Sequence, residues 1–437
     1  MVLLFLIQAA AILAVSQFMG KLCPKIGQPK VVGEMIAGIL LGPSLLGWLS
    51  PGAYQLLFPA SSMGTLHLIG QLGLVLFMFL VGLRLDLQEL EKKRGAALLV
   101  SLSSIILPFA SGCLLAWFLH GKLSSPQVPL TSFALFLGVC MSITAFPVLA
   151  RILHESGLAQ TRLGTVAIAC AAVDDVSAWL ILAAILGFVH STQGSFPFWG
   201  TLLLLGGYVV AMLALRPLWA WLTIGRRPGN LNQCKFATTL LILLASSTAT
   251  EWLGIHALFG AFFAGVAMPK DRGFIQSLSQ SVEPLTATLI LPWFFTLTGL
   301  RTQLNLAVGG PYLLYTILII AVAVTGKYLG AMLSARSTGM EMREASALGI
   351  LMNTRGLVEL VILNIGFDLG LLSPAVFSMM VLMALTTTMM ATPLLRLILP
   401  RRFSLRHDDV LVTAYGPQKE GDGLNTWESL PKVVRSA

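Results

Sequence analysis

Thirteen apolar stretches, at 1–19, 31–48, 65–83, 95–118, 129–153, 163–189, 197–220, 236–250, 255–268, 284–300, 307–333, 344–366 and 373–399, take up most of this sequence. An α-helix needs about 20 mostly apolar residues to cross the hydrocarbon core of a bilayer, and fewer where the crossing is short or broken. The stretches are long and do not alternate, which excludes membrane β-strands. Only 11% of the 437 residues are charged, against about 25% in an ordinary soluble domain. A soluble enzyme, a coiled coil, a disordered chain and a disulfide scaffold are excluded. The expectation is an all-α polytopic membrane protein whose 13 transmembrane helices fill residues 1–400. The polar tail, 401–437, has no periodicity and is expected to be a short disordered cytoplasmic segment, too small for a nucleotide-binding domain.

The net charge of +9 invites a nucleic-acid reading, but no Lys/Arg block of five or more exists. The basic residues act instead as a topology marker. With the N-terminus outside and the sides alternating, seventeen of the 28 Lys and Arg residues fall in inside loops, among them Lys21, Arg84, Arg151 and Arg336. Only Lys122 and Arg301 fall outside, and the residues from Arg396 onward place the C-terminus in the cytoplasm. The first stretch has no basic leader and is followed by Lys21, Lys25 and Lys30, so it reads as a retained helix. The cell membrane is the expected location. The five cysteines form no CxxC pair and read as buried free thiols, and no cofactor is expected.

The two halves of the chain match locally. Ala37-Gly38 to Pro43 in span 2 is similar to Ala264-Gly265 to Pro269 in span 9, and Phe79 to Arg84 in span 3 to Thr296 to Arg301 in span 10. Each pair lies seven spans apart, so the copies run oppositely through the bilayer. This predicts an inverted repeat of spans 1–6 and 8–13, an arrangement of secondary transporters that places substrate between the repeats. Span 5 carries Thr144-Ala145-Phe146-Pro147 and span 12 carries Asn353-Thr354-Arg355-Gly356. Pro147 and Gly356 weaken their helices at corresponding places, the pattern of broken helices at an ion site.

A charge at bilayer depth is costly, so each one is a functional candidate. Asp174 and Asp175 lie mid-span in span 6, about 100° apart around the helix. Two ionised carboxylates this close repel each other, and burial adds to that cost. One can face an ion pathway while the other faces a neighbouring helix. Lys327, in span 11, either snorkels to the interface or pairs with an aspartate in the centre. Arg355 and Glu359 have the helical spacing of an ion pair, either structural or coupled to transport. Glu34 reads as a solvated interfacial carboxylate, and Glu251 and His256 receive no role.

These segments, with Gly27-Gln28-Pro29, Phe259 to Gly265, Phe294-Phe295 and Asn353 to Leu360, resemble the monovalent cation:proton antiporters. The branch is the one that holds bacterial sodium/proton and potassium/proton exchangers and plant cation/proton exchangers. The resemblance implies a homodimer in the sodium/proton antiporter fold with two crossed discontinuous helices. It puts spans 5, 6, 12 and 13 in an ion-binding core and spans 1, 2, 8 and 9 in a dimer scaffold. It implies a cation and proton site on Asp175, with Asp174 and Thr144 beside it, and coupling through Lys327. The implied function is alternating-access exchange of Na+ or K+ for H+. The alternatives are a passive K+ or Na+ conductance in the same fold and a sodium-coupled organic-anion symporter. An intramembrane aspartyl protease draws its two aspartates from separate helices, whereas these are adjacent, so no enzyme is expected.

Overall fold

The computed structural model describes residues 2–85, 94–159, 161–192, 198–223, 232–253 and 256–399. The predicted tail, 401–437, lies outside the described residues, as do Lys92, Lys93, Arg226 and Arg227 of the predicted inside loops. Among the described residues the elements are helical and no strand occurs. The helices of eight or more residues are α1 (Val2–Lys25), α2 (Lys30–Leu41), α3 (Ala60–Arg84), α4 (Arg94–Leu123), α5 (Leu130–Ser142), α6 (Phe146–Glu155), α7 (Arg162–Thr192), α8 (Phe198–Ala214), α9 (Arg216–Thr223), α10 (Gln233–Trp252) and α11 (Ala257–Ala267). They continue with α12 (Arg272–Leu285), α13 (Leu291–Arg301), α14 (Tyr312–Ser337), α15 (Met342–Met352), α16 (Leu357–Asp368) and α17 (Pro374–Ile398).

Among the described residues, eight helical segments are long and apolar enough to cross a membrane, and the bent pairs α8–α9 and α15–α16 raise the number to ten. The other three predicted spans coincide with helices that miss this measure, each for a physical reason. The α10 helix is interrupted by hydroxyl residues such as Thr239, Ser246, Ser247 and Thr250. The α11 helix has 11 residues. The stretch 284–300 is divided by Pro284, a π-turn over Thr286–Ile290 and Pro292.

The helices form two packed groups. In one, α2 lies on α1 and α13, α3 lies on α11 and α13, and α10 lies on α11. In the other, α4 packs on α5, α7 and α14, while α14 packs on α15 and α17. The two sequence matches meet crosswise in the first group. Gly38 of α2 abuts Gly299 of α13, and Gly82 of α3 abuts Gly265 of α11, with no room for a Cβ at any of the four. Small residues let membrane helices approach to backbone contact. The obstacle is backbone rather than a movable side chain, so Gly299→Val is expected to destabilise by at least about 1–3 kcal/mol. It should lower the thermal midpoint of the detergent-solubilised protein, whereas Gly121→Val, where the space is open, should leave it unchanged.

Two local expectations change. Glu34 is only 4% exposed and lies 3.4 Å from Lys30, one turn back on α2. All five cysteines are free, but Cys234 at the start of α10 is exposed and Cys113 is half-buried.

Candidate functional site

The site is built where two broken helices cross. The α5 helix ends at Ser142 and α6 begins at Phe146, and α15 ends at Met352 while α16 begins at Leu357. Pro147 lies in the first turn of α6, where its missing N–H costs nothing, so it starts a half-helix rather than kinking a continuous one. The two extended links touch: Ala145 N–H donates to Thr354 O at 2.9 Å. Gly356 is required by this close approach, because a Cβ there would press on Val148 and Ala145.

Each break frees backbone groups that must be satisfied internally in a membrane. At the end of α5, Arg355 donates to Cys140 O and Met141 O, each at 2.7 Å, and Lys327 Nζ donates to Ser142 O. Two cations therefore sit at the negative end of one half-helix dipole. Thr388 on α17 holds the other link, accepting from Arg355 N–H at 2.9 Å and donating to Arg355 O at 2.7 Å. Glu359 Oε1 lies 3.2 Å from Arg355 Nη1, with both side chains fully buried.

The adjacent aspartates of α7 have opposite surroundings. Asp174 is 1% exposed and saturated with donors. Lys327 Nζ reaches its Oδ2 at 2.9 Å, Thr144 Oγ1 donates to the same oxygen at 2.7 Å, and Ser101 Oγ of α4 donates to Oδ1 at 2.5 Å. Ser104 Oγ lies 3.3 Å from Oδ2 while donating to Ser101 O. Asp175 is equally buried, at 2% exposed, yet neither of its carboxylate oxygens has a hydrogen-bond partner. The backbone N–H of Phe146, at the positive start of α6, is its polar neighbour outside hydrogen-bond geometry. An orphaned buried carboxylate is a fitting seat for a hard cation or a proton.

The structure thus brings together Asp174, Thr144 and Lys327, and separately Arg355 and Glu359. It gives Lys327 no access to an interface, since the side chain is fully buried. Thr144 serves Asp174 and, at 2.9 Å, Met352 O, rather than Asp175. Ser101 and Ser104 escaped the sequence reading. Span 4 carries four serines, Ser101, Ser103, Ser104 and Ser111, and the only signal that singles out two of them is the spacing of three that puts Ser101 and Ser104 on one helix face.

An apolar helical bundle enclosing two crossed half-helices and a buried carboxylate pair is the architecture of a secondary ion transporter. Residues 10–400 match the family described as sodium/hydrogen exchanger, transmembrane, and the chain belongs to that family. It is 43% identical over 404 residues to the Na(+)/H(+) antiporter NhaS4 of Synechocystis sp., covering 91% of this chain and 98% of that one. It is 34% identical over 436 residues to the K(+)/H(+) antiporter 1 of Saccharomyces cerevisiae, covering 97% of this chain and 49% of the yeast protein, so it spans about half that relative's length. The fold is shared with the sodium proton antiporter MjNhaP1 of Methanocaldococcus jannaschii, with a TM-score of 0.67 at 14% identity over 91% of this chain and 97% of the other. The family is one of transporters, not of enzymes.

Proposed function

We propose that this chain is an antiporter that exchanges Na+ or K+ for H+ by alternating access, with cation and proton competing for Asp175. The observation that carries this reading is the contrast within one pair: Asp174 is saturated with donors and Asp175 has none. A bare carboxylate in an apolar barrier is unfavourable, and either cargo neutralises it for the crossing. Asp174, already held by Lys327 and the hydroxyls, travels with Asp175 as a neighbour whose charge is compensated throughout. The cation is cargo, and oxygen ligands suit a hard monovalent ion.

The transporting unit has thirteen spans, with the N-terminus outside and the C-terminus in the cytoplasm, as the basic residues indicate. It works as a homodimer in the cell membrane. The group containing α4–α7 and α14–α17 is the mobile core, which adds spans 4 and 11 to the four expected from the sequence. The group containing α1–α3, α10, α11 and α13 is the scaffold, and the core moves past it as an elevator. The test is dye-monitored proton flux in proteoliposomes, comparing Na+, K+, Li+ and Rb+ at several pH values. Proton movement driven by a cation gradient, and cation accumulation driven by a proton gradient, support exchange. Cation conductance that never moves protons would replace it with a channel.

Lys327→Gln should retain cation-coupled flux with a changed pH profile or charge stoichiometry, because Asp174 would then lose its fixed positive partner. Reversal potentials measured at a series of pH values would read it. Unaltered profile and stoichiometry would reduce Lys327 to a structural role.

A further inference from the structure

The exchange reading leaves unused the two arginines that close the matched segments, Arg84 and Arg301. They stand at opposite ends of the bundle in opposite situations. Arg301 ends α13 and ties it to α16: Nη2 pairs with Asp368 Oδ1 at 2.9 Å, and Nη1 donates to Asn364 Oδ1 at 2.8 Å, one turn earlier. His67 of α3 backs the contact, with Nδ1 3.1 Å from Arg301 Nη2 and Nε2 3.9 Å from Asp368 Oδ2. Asn364 donates in turn to Thr298 Oγ1 of α13 at 2.9 Å. Both α3 and α13 belong to the first packed group, and α16 packs on α17 and α5 of the second, so this cluster fastens one group to the other at this end.

At the other end of α3, Arg84 pairs with Glu283 of α12, which packs on α3 within its own group. There the groups part around a cavity with room for about 200 Å³ of water, lined by Leu80, Phe146, Pro147, Ala150, Thr286 and Ala287. Phe146 is the residue whose N–H neighbours Asp175. One end is tied, and the other holds a cavity that reaches the start of α6.

We propose that Arg301, with Asp368 and Asn364, is a lock that holds one face of the transporter shut while the opposite face is open, and that it releases α16 in every transport cycle. This rests on the exchange reading. The ion pair is suited to the task because its side chains remain 22% and 37% exposed, and partly solvated pairs are weak enough to open and re-form. Arg84, its counterpart in the matched segment, pairs with Glu283 in the wall of that cavity, which Phe146, Pro147 and Ala150 of α6 also line, and is placed to fasten the other face to α6 once the cavity closes.

The test joins Arg301→Cys and Asp368→Cys in one variant through a short reducible thiol linker. The linked protein should lose at least tenfold of its cation-driven proton flux and regain it on reduction. Each single-cysteine variant, treated alike, controls for the chain's own five thiols, of which Cys234 is exposed. Undiminished flux in the linked protein would overturn the lock, because the contact would then persist through the cycle. If wild type itself shows no exchange, the antiport reading fails by itself, and the lock is still decided by labelling. Ala150→Cys, in the cavity wall, should react with an impermeant maleimide several-fold more slowly once Arg301→Gln is added. Reversing the pair, with Arg301→Asp and Asp368→Arg together, should bring the rate back. A labelling rate indifferent to both changes would also overturn it.

Discussion

Asp175→Asn is expected to reduce cation-driven proton flux to the level of protein-free vesicles while leaving the protein folded. The two halves of this expectation have separate grounds. Function is lost because the carboxamide can neither take up a proton nor neutralise a cation, so no exchangeable charge remains at the place where the barrier requires one. The fold survives because the carboxylate oxygens of Asp175 make no hydrogen bonds that the substitution would break. An unpartnered buried amide costs about 1–3 kcal/mol, and it replaces a carboxylate whose burial without a partner is costlier still. Asp174→Asn should behave in the opposite way. It strips the ionic partner from Lys327 and weakens the bonds from Ser101 and Thr144, so the thermal midpoint should fall. Flux and melting measured on the same preparations separate the two aspartates. Full exchange in Asp175→Asn would sink the site assignment, and equal loss of stability in both variants would sink the asymmetry on which it rests.

Much of this arrangement was legible along the chain because its signals are local. Apolar runs mark spans, Pro147 and Gly356 mark the breaks, and two adjacent aspartates in an apolar helix stand out by cost alone. What stayed hidden depends on contacts between distant spans. The sequence left Lys327 between an interface and an aspartate, since a residue's place along a helix does not say which neighbour its side chain meets. The serines of α4 carry no mark of their own, because hydroxyls are ordinary in membrane helices, and only Asp174 gives Ser101 and Ser104 a purpose. The matched glycines suggested a repeat, but not that Gly38 would press on Gly299 and Gly82 on Gly265. Arg355 is paired by sequence spacing with Glu359, four residues on. Its shortest bonds go to two carbonyls of another span, acceptors that exist only because α5 stops, and a carbonyl has no sequence signature.

That last contact yields the second large effect. Arg355→Met should destabilise the protein by about 3–5 kcal/mol, the cost of removing one partner of a buried ion pair. Two separate losses contribute. Glu359 is left as a buried carboxylate without a counter-charge. Cys140 O and Met141 O, at the negative end of α5, lose the donors that hold the half-helix at the crossing. A double-mutant cycle with Glu359→Gln separates them. Glu359→Gln alone leaves the buried Arg355 guanidinium without its carboxylate but still bonded to the two carbonyls, so it too should destabilise, though less than Arg355→Met. Added to Arg355→Met it should recover only part of the stability, since it cures the bare charge and leaves the carbonyls open. Arg355→Lys should also fall short, because a single ammonium cannot reproduce the fork that spans two successive carbonyls. Complete recovery in the double variant would mean that the ion pair is the whole of the arginine's task. Partial recovery, with exchange still impaired, would place Arg355 as the residue that keeps the end of α5 at the crossing where Asp174 and Asp175 divide their roles.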